Sequence, residues 1–161
     1  MSKTHPPAVA IIGAAICSRA QMEIAETVGR LLAERGAILV CGGRGGVMEA
    51  ACRGAQQVGG ITIGILPGTD PRDGNPHLSV AIPTGLGHAR NALIVQAGTA
   101  VIAIGGGYGT LSEISIALKT GRRVIGMDTW HATRSDGEAM CITPANTPEE
   151  AVELALAPHE E

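Results

Sequence analysis

The sequence predicts an α/β fold, a doubly wound, mostly parallel Rossmann-like sheet with helices on both faces. Three observations predict it. Short β-rich runs alternate with helical stretches, the pattern of βαβ units and a parallel sheet. The strand runs are apolar almost throughout, as strands are when both sheet faces are covered. Glycines cluster where the strand runs end. Right-handed crossovers then wind helices onto both faces. The ligand crevice of such a sheet lies beyond the carboxyl ends of the strands, where strand order reverses.

The elements follow in order. AVAIIG (8–13) is a buried strand. Residues 20–35 form an amphipathic helix with Met22, Ala25, Val28, Leu31 and Leu32 on one side, closed by Gly36 as a glycine C-cap. AILVCG (37–42) is the second strand, GGRGG follows it, and VMEAACRGAQQV (47–58) is a helix. ITIGIL (61–66) is the third strand. PGTDPRDGNPH (67–77) is a surface loop, rich in Pro, Gly and Asp. SVAIPT (79–84) is a weaker strand and HARNALIVQAG (88–98) is helical. TAVIAIG (99–105) is the fifth strand, TLSEISIALKTG (110–121) a helix and RRVIGM (122–127) the sixth strand. WHATRSDGEAM (130–140) reads as a hairpin or turn before a short strand around Cys141 and Ile142. ANTPEEAVELALA (145–157) is a closing helix, with Thr147 as N-cap, Pro148 in the first turn and Glu150 completing a capping box.

A chain of 161 residues fits one domain with a single core, here residues 1–161. The core is aliphatic, because the chain has one Trp (Trp130), one Tyr (Tyr108) and no Phe. Net charge is −3 without a basic run, which argues against nucleic acid as the partner. Cys17, Cys41, Cys52 and Cys141 form no C-x-x-C pair, and the five histidines have no metal-ligand spacing. No metal site and no resident cofactor are expected. Only Lys3 supplies charge before the first apolar run, which breaks at Gly13 and leads directly into a helical pattern, so it reads as a strand and not as a signal peptide. No run has the length of a membrane span. The expected location is the cytoplasm.

The functional signal is in the glycines. One cluster follows the second strand (Gly42, Gly43, Gly45, Gly46) and one follows the fifth (Gly105, Gly106, Gly107, Gly109). A smaller break, Gly13-Ala14-Ala15, follows the first strand. All lie at one edge of the sheet and lead towards helix N-termini. Unpaired N–H groups and the helix dipole favour an anion there, and glycine turns can add an anion-binding nest. A phosphate is the natural guest. The motif is not a P-loop, since G-K-[ST] is absent. Neither cluster fits G-x-G-x-x-G/A, because the sixth position is Thr110 in one and Met48 in the other.

The stretch GGGYGTLSE (105–113) resembles the P-G-G-x-G-T-x-x-E signature of the LOG family, the cytokinin-activating phosphoribohydrolases also labelled lysine decarboxylases. Arg90-Asn91 stands where that family has an Arg-Lys pair, with Arg90 23 residues before Glu113. GGRGGVMEAACRGAQQVGG (42–60) is similar to its first glycine loop and helix. The resemblance spans about residues 8–127. The wording GGRGGVMEA, GHARN and IGGGYGTLSE is closer to a shorter subgroup that includes molybdenum-cofactor carrier proteins.

The resemblance implies a nucleoside 5′-monophosphate phosphoribohydrolase, releasing free base and ribose 5-phosphate. Arg90 and Glu113 would be the catalytic pair, and Gly106, Gly107, Gly109 and Thr110 would hold the phosphate. Gly13, Gly43, Arg44, Gly45, Gly46, Asn91 and Tyr108 complete the expected ligand-binding set. The alternative is a non-catalytic carrier or sensor of a phosphorylated ligand, either molybdenum cofactor or a nucleotide. Either reading takes a small phosphorylated partner, and the family implies a homodimer or higher homo-oligomer. A carboxylate near C1′ would stabilise oxocarbenium character, and phosphate binding would position the sugar. Three exchanges weigh on hydrolysis more than on binding: Gly105 for proline, Asn91 for lysine and Glu49 for glycine. Glu113 also has a structural explanation. Thr110 and Glu113 have the spacing of a capping box, which would place the glutamate at a helix start regardless of chemistry.

Overall fold

The computed structural model describes residues 5–158. Seven strands form one sheet: β1 (Ala8–Gly13), β2 (Ile38–Cys41), β3 (Thr62–Leu66), β4 (Val80–Pro83), β5 (Ala100–Ile104), β6 (Arg123–Met127) and β7 (Thr143–Pro144). Their spatial order is β4-β3-β2-β1-β5-β6-β7, and every neighbouring pair is parallel. Order therefore reverses between β1 and β5, which places the crevice beyond Gly13 and Ile104.

Five helices cover the sheet: α1 (Arg19–Glu34), α2 (Val47–Gln57), α3 (Asn91–Ala97), α4 (Tyr108–Lys119) and α5 (Pro148–Leu156). The core has two halves, one on each face. Val9 and Ile11 of β1 meet Ile102 and Ile104 of β5 under α1, α2 and α5. Ala10 and Ile12 meet Val101 and Ala103 under α3 and α4. Side chains alternate along a strand, so each central strand must be apolar at every position to serve both halves. Among the described residues, no helix is long and apolar enough to cross a membrane.

Several boundaries differ from the sequence reading. The 88–98 stretch divides into a 3₁₀ turn, Gly87–Arg90, and α3. The last strand is Thr143–Pro144, two residues beyond Cys141 and Ile142. The 130–140 hairpin is present, closed by an antiparallel bridge between Thr133 and Ala139. In α5, Thr147 caps the Glu150 N–H, but the Glu150 carboxylate accepts from the Asn146 N–H instead of completing the box. A complete capping box does occur at the start of α1, between Ser18 and Gln21. The most consequential difference is at α4, which begins at Tyr108 with Gly107 as N-cap.

Candidate functional site

The start of α4 decides how Glu113 is read. Thr110 is the third helical residue, and no side chain caps the helix. The capping-box explanation of Thr110 and Glu113 therefore fails. The helix can start early because Gly105 and Gly106 turn the chain through positive φ, 55° and 104°, directly after β5. Glu113 then lies a full turn inside the helix and is only 7% exposed. A buried carboxyl without a capping role needs another reason to be there.

That reason is a cleft of about 350 Å³ at the reversal point of the sheet. It is lined by residues from four places. Gly13, Ala14 and Ala15 come from the end of β1, Arg44 and Met48 from the β2–α2 segment, His88, Arg90 and Asn91 from the start of α3, and Gly107, Gly109, Thr110 and Glu113 from α4. The structure thus brings together Arg90, Glu113, Gly13, Arg44, Asn91, Gly107, Gly109 and Thr110 of the expected set. Ala14 and Ala15, of the break after β1, join Gly13 in the lining, whereas Met48 and His88 lie outside the expected set. His88 had a usable signal in its place two residues before Arg90.

Gly43, Gly45, Gly46, Gly106 and Tyr108 do not line this cleft. Gly43 is buried against Leu66 and Gly64 of β3. Gly46 has φ of 63°, and a side chain there would run into the Ala14 and Ala15 carbonyls. It lets α2 dock on the loop after β1, where the Val47 N–H donates to the Ala14 carbonyl. Gly45 faces the same loop. Gly106 lies under the Thr110 side chain. Tyr108 is 84% exposed and packs against Trp130, with ring centroids 5.7 Å apart.

The two glycine clusters are therefore not equivalent. At α2 one of the leading N–H groups is already bonded to Ala14, and Glu49 adds negative charge in the first turn. Both features disfavour an anion. At α4 the first turn has no acidic residue and no side-chain cap. The leading N–H groups of a helix have no acceptor within it, and here Gly107, Gly109 and Thr110 face the cleft. This helix start is the open anion seat of the two.

Arg90 is the last residue of the 3₁₀ turn, and its guanidinium lies against Gly42. A side chain at Gly42 would displace it. Its Nε is buried without a hydrogen-bond partner. Burial lowers the affinity of Arg90 for its proton and the Arg44 charge adds to that, while Glu113 and Cys41 oppose it when ionised. An arginine at a helix N-terminus also works against the helix dipole. All three costs would be relieved by an anion. Burial pushes the Glu113 carboxyl up to about 8, with Arg90 pulling the other way. The two side chains share the cleft but form no ion pair within 4.0 Å. At neutral pH Glu113 is therefore mostly uncharged.

Supporting contacts hold these parts in place. Asn91 donates to Ser112 Oγ (3.2 Å), which donates to the Gly109 carbonyl (2.7 Å). Asn75, from the loop read only as surface, donates through Nδ2 to the Arg44 carbonyl (3.0 Å) and through its backbone N–H to the Gly43 carbonyl (2.9 Å). On the far side, Thr129 Oγ1 donates to the Gly105 carbonyl (2.6 Å) and Trp130 Nε1 to the Gly107 carbonyl (3.0 Å). Among the described residues, no three His, Cys, Asp or Glu side chains gather as metal ligands would.

Known proteins are similar to this chain in sequence and fold. The SLOG cluster4 family matches residues 6–152. An uncharacterised protein of Archaeoglobus fulgidus is 43% identical over 149 residues, covering 92% of this chain and 94% of the relative. The molybdenum cofactor binding protein of Rippkaea orientalis has a similar structure, with TM-score 0.84, 34% identity, and 94% of this chain and 96% of the other covered. The molybdenum cofactor carrier protein of Chlamydomonas reinhardtii is similar at TM-score 0.79 and 29% identity, over 93% of this chain and 96% of the other.

Proposed function

The chain belongs to the SLOG cluster4 family, and from that premise we propose that it binds and carries a phosphorylated pterin of the molybdenum-cofactor type, without breaking a bond in it. The observation that carries this reading is one cleft that gathers the buried Glu113 carboxyl, Arg90, Arg44 and the open start of α4, where burial pushes Glu113 towards its neutral form. An ionised carboxylate would repel a phosphate. A protonated one removes that repulsion and can donate a hydrogen bond to a phosphate oxygen. Arg90 brings a planar fork with an unused buried donor, and Arg44 adds a second positive charge. The phosphate would sit on Gly107, Gly109 and Thr110. The similarity to proteins that bind or carry molybdenum cofactor supports the same cargo here.

Hydrolysis of a nucleoside 5′-monophosphate is the second reading. It is favoured by Arg90 and Glu113 sharing one cleft with that helix start. Sugar hydrolysis of this kind uses two carboxyl groups, one ionised beside the sugar and one protonated as general acid, and among the described residues that line the cleft Glu113 is the only carboxyl. One experiment separates the readings. The protein is incubated with AMP and N6-substituted adenosine monophosphates and assayed for free base. In parallel, it is mixed with molybdenum cofactor released from a molybdoenzyme, gel-filtered, and assayed for molybdenum and pterin. Co-elution without base release is expected. Base release abolished by Glu113→Ala would overturn the carrier reading.

We also propose a cytoplasmic homo-oligomer that does not act on nucleic acid. Four free cysteines and a net charge of −3 support the location and the partner class. Val80 and Ile82 on the edge strand β4, with Leu86 and Leu93 nearby in sequence, expose apolar surface that favours self-association. A sedimentation mass of a single chain at micromolar concentration would refute the oligomer.

A further inference from the structure

A second cleft, of about 420 Å³, is lined by Gln21, Gly105, Gly106, Asp128, Thr129, Trp130 and His131. Only the glycine loop separates it from the first: Gly107 lines one cleft, Gly105 and Gly106 the other. Three of its features bear on a ligand. The chain's two aromatic residues meet at its rim, and Tyr108 stays 84% exposed there. An aromatic ring so exposed contributes almost nothing to a core. Trp130 is fixed by its bond to the Gly107 carbonyl, so one ring edge is committed and its orientation is set. Asp128 is the only non-glycine among the described residues with positive φ, 48°. Aspartate is among the few side chains that adopt this region readily.

The charges of the two clefts are opposite in kind. The first has Arg44, Arg90 and a neutral Glu113. The second has the exposed carboxylate of Asp128, whose one side-chain partner is a long 3.4 Å contact from Gln21 Nε2. A phosphate is better suited to the first, because the second has no arginine or lysine in its lining and its titratable groups are Asp128 and His131. What suits the second is a flat ring with adjacent N–H donors on one edge, because a carboxylate accepts two parallel hydrogen bonds. A 2-amino-4-oxo-pyrimidine has that edge, in its ring N–H and its amino group. Adenine does not, since a ring-nitrogen acceptor stands beside its amino group.

Resting on the phosphate-binding reading, we propose that this second cleft is a recognition subsite for a 2-amino-4-oxo-pyrimidine ring, the ring shared by guanine and the pterins. Asp128 accepts from the N–H edge, and the Trp130–Tyr108 pair offers the ring an aromatic surface. The ligand straddles the glycine loop. Gly105 and Gly106 have no side chains to obstruct that path.

Trp130 is the only tryptophan, so its emission reports this cleft directly. The titration compares GMP, neopterin monophosphate, IMP, AMP and ribose 5-phosphate. IMP lacks the 2-amino group, and ribose 5-phosphate lacks the ring. Binding of ribose 5-phosphate, which does not reach Trp130, is followed by calorimetry. GMP or neopterin monophosphate is expected to change the emission and to bind at least about tenfold more tightly than IMP and AMP. Whichever of the two binds more tightly identifies the source of the ring. Asp128→Asn keeps a residue that tolerates positive φ but accepts only one of the two bonds. It should cost about tenfold for the ring-bearing ligand and leave ribose 5-phosphate binding unchanged. Equal affinities for GMP, IMP and AMP, with no gain for neopterin monophosphate, would overturn the subsite while ribose 5-phosphate still binds. A ring preference that survives Asp128→Asn would also overturn it. A ring preference lost in Asp128→Asn, without ribose 5-phosphate binding, would support the subsite and refute the phosphate reading. No binding of any probe would overturn both.

Discussion

Replacing Glu113 by glutamine should make the protein more stable at alkaline pH. In the folded chain the Glu113 carboxyl titrates at about 8, against an ordinary value of 4.5. Below pH 4.5 both folded and unfolded chains hold the proton. As pH rises from there, the unfolded chain releases it while the folded chain keeps it. The stability associated with the neutral carboxyl is thus complete below the unfolded value and is lost as pH rises through the folded one. At about 1.4 kcal/mol per pH unit, the loss amounts to roughly 4 to 5 kcal/mol by pH 9. That is a large part of the stability of an ordinary domain. Glutamine has nearly the same shape and cannot ionise, so the variant should not suffer this loss. The assay is urea unfolding of both proteins at about pH 5 and about pH 9. The stability difference between variant and parent should move in the variant's favour by several kcal/mol between the two. Parallel pH profiles would refute the neutral carboxyl, and with it the argument for a carrier.

Three further outcomes follow from the same geometry. Ribose 5-phosphate should bind about tenfold less tightly as pH rises through about 8, because ionised Glu113 repels the phosphate; calorimetry should show that Glu113→Gln abolishes this dependence. Arg90→Ala should weaken ribose 5-phosphate binding about tenfold to hundredfold, and Arg90→Lys should restore only part of it, because an ammonium cannot reproduce the fork. Gly46→Ala should destabilise the protein by about 1 to 3 kcal/mol in urea unfolding, since it combines positive φ with a clash against the Ala14 and Ala15 carbonyls.

The sheet was legible because its causes are local. Apolar runs, glycine C-caps such as Gly36 and the alternation of periods each constrain the chain near the residue that shows them. All six longer strands accordingly lie within the stretches read as strands. The site was legible only as far as it depends on strand ends. Gly13, Gly107, Gly109 and Thr110 line the cleft because a parallel sheet gathers its carboxyl ends at one edge. Gly46 resembles them in sequence, yet it serves the close approach of two loops. A glycine that admits a ligand and one that admits a backbone have the same letter and the same preference for positive φ. Only the neighbour differs, and the neighbour here, Ala14, lies 32 residues away. Asn75 escaped notice for the same reason, since its partners Gly43 and Arg44 are about 30 residues earlier.

Glu113 shows how one boundary can reverse a chemical inference. With a helix starting at Thr110, the glutamate would fold back towards the chain, remain solvated and carry charge at neutral pH. With the helix starting at Tyr108, the same residue is carried a turn deeper, loses its solvent and holds its proton up to about 8. The early start follows from Gly105 and Gly106 turning the chain through positive φ immediately after β5. The glycines therefore do more than expose amides to a phosphate. They set the depth of the carboxyl, the depth sets its charge, and a neutral carboxyl beside Arg90 favours holding a phosphate over cleaving a glycosidic bond.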